Sequence, residues 1–73
     1  MSQMTVVAPP GPAEVLNGSP LPHLRRLVVT ESATEVVISG RVPTYYLKQL
    51  AQETVRAAVG KRRLSNQVQV VRS

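Results

Sequence analysis

Between Glu35 and Val42 the chain alternates: Val36, Ile38, Gly40 and Val42 fall on one face of an extended backbone, and Glu35, Val37, Ser39 and Arg41 on the other. Period two predicts a half-buried strand with the first set facing a core. Upstream, LRRLVVTES from Leu24 is a β-branched run of strand length. The link between the two runs, roughly Ser32 to Thr34, is short enough to force a hairpin, although it lacks the Asn-Gly or Gly-Gly that would fix its turn type.

After Pro43 the period changes. Through YYLKQLAQETVRAAV the positions Leu47, Leu50, Ala51, Thr54 and Ala58 recur at helical spacing, with Thr44 as N-cap and Gly60 where a left-handed residue closes a helix. Leu64, Asn66, Val68 and Val70 then alternate with Ser65, Gln67 and Gln69, predicting a third strand on the same core. Ala13 to Asn17 reads as a short helix, stopped by Gly18, Pro20 and Pro22 and dependent on docking of Val15 and Leu16.

These elements make an α+β chain of αββαβ order: a two-layer sandwich of a three-stranded mixed sheet with helices on one face and a short first helix. A right-handed crossover through the long helix makes the second and third strands parallel. Met1 to Pro12, MSQMTVVAPPGP, has too few apolar residues to join a core and reads as a flexible tail ahead of a single domain over 13–73. It offers neither the basic start and apolar run of a secretory signal nor a membrane span, which suggests a soluble, unexported, by default cytoplasmic chain.

The joint spacing of Gly40, Gly60 and Asn66 within EVVISGRVPTYYLKQLAQETVRAAVGKRRLSNQVQV resembles the BON family, small bacterial modules named for osmotically inducible and nodulation proteins. That pattern is roughly VVxLxGxV, a turn into a helix rich in Lys and Ala, then GVxxVxNxIxV. Leu64, Val68 and Val70 stand at its apolar positions, and the likeness spans about Leu24 to Val70. The chain departs from it at Lys61, where the family has an apolar residue, and in its shorter first helix. The resemblance implies a binding module without catalytic residues or cofactor, often for phospholipid surfaces or other envelope components. It also implies that Gly40, Gly60 and Asn66 keep the fold rather than touch a ligand.

Composition narrows the chemistry. In 73 residues there is no Cys, Trp, Phe or Asp, so neither disulfides nor thiolate-bound metals reinforce a thin core, and a partner contact can contribute to stability. The single His23, between Pro22 and Leu24, has no Asp or Cys to complete a catalytic triad or a zinc set. Gly40 and Gly60 are isolated and form no phosphate loop. No enzyme class, cofactor or metal is indicated.

Charge points to an anionic partner, since nine Lys and Arg against four Glu leave a net +5. The expected topology gathers Arg25, Arg26, Arg41, Lys48 and Arg72 at one pole, beside the amides that open the long helix and the exposed, amphipathic Tyr45 and Tyr46. At the other pole Lys61, Arg62 and Arg63 complement the helix C-terminus and meet Glu31 and Glu35. The leading expectation is a non-enzymatic module that associates through the first pole with an anionic phospholipid surface or an envelope or assembly partner. A nucleic-acid-binding domain is the alternative, weakened by the lack of a stacking aromatic on the sheet. A third reading is self-association as a homo-oligomer over Val28, Val37 and Val71, an apolar stripe on the open side of the sheet.

Overall fold

The computed structural model describes residues 11–72. Its elements are α1 (Pro12–Asn17), α2 (Pro22–Arg25), β1 (Val28–Glu31), β2 (Glu35–Val42), α3 (Tyr45–Val59) and β3 (Arg63–Val70). The strands form one mixed sheet in the order β1-β2-β3, antiparallel between β1 and β2 and parallel between β2 and β3. This is the expected α+β class, with the short first helix in place and the order of the strands now fixed. The expected tail lies, for residues 1–10, outside the described residues. Helix α1 opens slightly earlier than expected, on a buried Pro12 whose ring presets the first helical position, and the Glu14 carboxylate accepts from the Gly11 N–H at 3.3 Å.

One expected strand start is corrected. Leu24 to Arg26 are not extended: Leu21 and Pro22 open a single helical turn, closed by Leu24 and Arg25 amides donating to the Leu21 carbonyl at 3.0 and 3.2 Å. The physical reason is packing. Leu24 and Leu27 are both buried, and three residues apart they share one side of a helical turn, whereas in a strand they would point to opposite faces.

The core is aliphatic. Leu16, Leu24 and Leu27 come from the first half, Val36, Ile38, Val42 and Val68 from one sheet face, and Ala51, Val55 and Val59 from α3. Fully burying each Leu, Ile or Val contributes roughly 1.5–3 kcal/mol, so a handful of side chains dominates stability. All helices pack on that one face. The α3 stripe differs from the expected one: Ala51, Val55 and Val59 form the buried line, flanked by partly buried Leu47 and Leu50, while Thr54 turns its hydroxyl back to the Leu50 carbonyl at 2.7 Å and Ala58 is half-buried. Residues four apart make a ridge that lies along the sheet, which the looser spacing read from Leu47 misses.

Turn chemistry completes the frame. The hairpin link is the expected Ser32–Thr34, but no non-glycine residue among those described has a positive φ, so its closure comes from a side chain instead of an Asn-Gly turn. Ser32 Oγ accepts from the Thr34 and Glu35 amides at 3.3 and 3.0 Å, and the Ser32 amide donates to the Glu35 carbonyl at 2.8 Å. Thr44 caps α3, its hydroxyl accepting from the Leu47 amide at 3.1 Å. Gly60 has the expected positive φ, 66°, but with ψ −129° it is not the left-handed helical cap. Those angles suit the first central position of a type II′ turn, here closed by Arg62 N–H to the Val59 carbonyl at 3.3 Å.

Gly40 and Asn66 join layers. A Cβ on Gly40, whose φ is 134°, would stand 2.7 Å from Leu27 Cδ2 and 3.5 Å from Leu27 Cα, so the segment entering β1 lies directly over the strand glycine. Asn66 on β3 donates through Nδ2 to the Lys48 carbonyl at 3.0 Å and to Gln52 Oε1 at 3.3 Å, tying the sheet to α3. Its Oδ1 accepts from the Val68 amide at 3.1 Å.

Candidate functional site

The strand register sets the level of each charged residue. Arg41 lies opposite Gln69, and beyond the last pair, Val42 with Val70, the Val71 amide donates to the Val42 carbonyl at 2.9 Å and delivers Arg72 past the end of the sheet. Pro43 and Thr44 turn that same end of β2 into α3, so exposed Tyr45 and Tyr46 open the helix there and Lys48 follows one turn in. Val28 pairs with Ser39, and Leu27 sits on Gly40, which directs the residues before β1 toward this end too. Arg25 belongs to α2 and Arg26 is its C-cap, a placement by helix rather than by strand.

Most of these side chains are solvated. Arg25, Arg26, Arg41 and Arg72 are exposed and Lys48 is half-buried. Arg25 Nη1 donates to the Ser19 carbonyl at 3.0 Å, which fixes the guanidinium without neutralising it. Among the described residues no carboxylate comes within ion-pair distance of any of the five. Tyr45 is held along the helix by Gln49 Nε2, which donates to its hydroxyl at 2.9 Å, whereas Tyr46, 69 % exposed, stands clear. Thr44 satisfies the Leu47 amide, leaving those of Tyr45 and Tyr46 at the helix mouth.

At the hairpin end one cation, Arg62, meets a carboxylate. Arg62 Nη1 donates to Glu31 Oε1 at 2.8 Å, Nε to the Val59 carbonyl at 3.0 Å and Nη2 to the Ala58 carbonyl at 2.9 Å, so one guanidinium ties β1 to the last turn of α3. This is the expected C-terminal complement, carried by Arg62. Glu35 was expected to pair with the same basic run. It does not: although Glu35 and Arg63 are register partners, no cation lies within ion-pair distance of the Glu35 carboxylate among the described residues. Register places Cα atoms side by side and leaves long side chains to diverge. Thr34, Glu35, Lys61, Arg62 and Arg63 instead line an open cleft of about 420 Å³, floored by the Arg63 amide donating to the Thr34 carbonyl at 2.9 Å.

The open sheet face carries Val28 and Thr30 on β1, Val37, Ser39 and Arg41 on β2, and Ser65, Gln67 and Gln69 on β3. Val28 and Val37 are diagonal neighbours across β1 and β2. Val71 is separated from them by Arg41 and Gln69, so the expected apolar stripe is interrupted. No aromatic stands on this face, and a base would find nothing to stack on. Among the described residues, no helix is long and apolar enough to cross a membrane.

Sequence reasoning missed the cleft and the Gly40–Leu27 contact, because both join segments whose approach depends on the helical turn of α2 and on the turn at Gly60. The spacing Leu21, Leu24, Leu27 was the available signal for the first. Comparison with family models, curated proteins and solved structures finds no match to this chain.

Proposed function

We propose that this chain is a non-enzymatic binding module that docks on anionic phospholipid surfaces through the end formed by Arg25, Arg26, Arg41, Lys48 and Arg72, with Tyr45 and Tyr46 at the headgroup level. One observation carries the reading: how carboxylates are distributed along the molecule. Arg56 and Arg62 are ion-paired to Glu53 and Glu31, and Lys61 and Arg63 share their cleft with Glu35, whereas among the described residues no carboxylate comes within ion-pair distance of the five residues named. The likeness of Gly40, Gly60 and Asn66 to the BON pattern supports the same conclusion. So does the polar, aromatic-free sheet face, which argues against nucleic acid.

Each basic residue near an anionic leaflet contributes about 1 kcal/mol, so five give about 5 kcal/mol, a weak and reversible association. With no deep apolar anchor the binding falls steeply as salt shortens the Debye length. The test is co-sedimentation with vesicles of phosphatidylcholine alone or mixed with phosphatidylglycerol. Binding is expected only to the mixed vesicles, weakening at high salt, and Arg25→Glu combined with Arg26→Glu should lower it by at least about tenfold. Equal binding to both vesicle types, or a double variant that binds like the parent chain, overturns the proposal.

A further inference from the structure

The cleft at the hairpin end is independent of the surface just described, and its charge arrangement is unusual. Lys61 and Arg63 are exposed and have no ion-pair partner among the described residues, while the half-buried Glu35 lines the same cleft and is likewise unpaired. Opposite charges that share a concavity without meeting leave both sets of valences to a guest. Arg62 adds a rigid wall. Three of its five N–H groups are spent on Val59, Ala58 and Glu31, so its guanidinium is fixed in place with one hydrogen left on each terminal nitrogen.

The walls are also preset. Ser32 fixes the backbone on either side of Thr34, the type II′ turn fixes Lys61, and the Arg63 amide binds the Thr34 carbonyl across the floor. The volume, about 420 Å³, lies in the range of small-molecule sites. Lys61 and Arg63, the two cations here without an ion-pair partner among the described residues, call for an anion, and a phosphate supplies both the charge and the oxygens that the spare Arg62 hydrogens can reach. With Glu31 already held by Arg62, Glu35 is the carboxylate left over in the cleft, and it calls for an ammonium that can donate hydrogen bonds.

We propose that this cleft binds an aminoalkyl phosphate: Lys61, Arg63 and the spare donors of Arg62 hold the phosphate, and Glu35 holds a primary ammonium. The group occurs both on a lipid headgroup and on a soluble molecule. Backbone NMR of the full chain, titrated with O-phosphoethanolamine, inorganic phosphate, ethanolamine and phosphocholine, tests the assignment. Shifts are expected at Thr34, Glu35 and 61–63, with O-phosphoethanolamine bound at least about fivefold more tightly than phosphate or phosphocholine, the latter having no ammonium N–H to give Glu35. Glu35→Gln should reduce the O-phosphoethanolamine affinity to that of phosphate, while Lys61→Ala with Arg63→Ala abolishes both. Absence of shifts at these residues overturns the proposal, as does equal affinity for phosphate and O-phosphoethanolamine in the parent chain. Neutral phosphatidylcholine vesicles with and without phosphatidylethanolamine then identify the source: greater retention with the latter assigns the headgroup, and equal retention beside a positive titration assigns the soluble compound.

Discussion

The two ends of the sheet use the same residue types to opposite purposes. At the hairpin end Arg62 reaches a carboxylate and two helix carbonyls at 2.8–3.0 Å, closing a gap between β1 and α3. At the other end Arg26, Arg41 and Arg72 are exposed with no carboxylate near them among the described residues. A cation that finds acceptors inside the molecule works for the fold, and one that finds none keeps its charge at the surface. The difference lies in the neighbours, because Glu14 and Glu31 converge around Gly11 while no Glu follows Glu35 until Glu53, beyond the opening turns of α3.

The strongest way to break the comparison is to remove what supports the basic end. Gly40→Ala forces a methyl to 2.7 Å from Leu27 Cδ2 at a φ of 134°, and should displace the segment that bears Arg25 and Arg26. Overpacking and backbone strain together are expected to cost about 3–5 kcal/mol, read as a large fall in the urea midpoint or loss of the folded spectrum. An unchanged midpoint would mean that Leu27 does not lie over β2. Next, Arg62→Ala should destabilise by about 2 kcal/mol, since it removes charge-assisted hydrogen bonds to buried-side carbonyls, whereas Arg41→Ala should stay within about 0.5 kcal/mol. Urea unfolding of the two variants side by side checks the contrast, and equal losses would erase it. A smaller loss than that of Arg62→Ala sharpens the picture at the helix mouth: Thr44→Ala should cost about 1 kcal/mol by freeing the Leu47 amide, measured the same way, and Thr44→Ser should restore most of it.

Much of the frame was readable before any coordinates. The alternation of Val36, Ile38 and Val42, and later of Leu64, Val68 and Val70, fixes faces because a strand has only two. The helix over YYLKQLAQETVRAAV was equally plain, but its buried line was not: with apolar residues at 51, 55, 57, 58 and 59 more than one stripe fits, and only the direction in which the helix crosses the sheet selects Val55 and Val59 over Ala58. The stretch at Leu24 was ambiguous for a related reason, its leucines fitting a helical turn and its valines a strand. The level of Arg41 follows from strand register and was legible, whereas Arg25 and Arg26 lie on a helical turn where a strand was expected. The cleft at Glu35 was not legible, since pairing between long side chains depends on rotamers that spacing does not encode.

The Asn66 side chain bears on how copies of this molecule meet one another. The Arg63 and Val71 amides both donate to the β2 side, so the alternate amides of β3, Val68 among them, point out from an edge as long as the central strand. Such an edge is a template on which a second chain can polymerise. Asn66 Oδ1 occupies the Val68 donor near the middle of that row, and the hydrogen bonds of its amide nitrogen to α3 keep it there. An incoming strand would therefore meet an interrupted ladder, at the same residue that fastens helix to sheet.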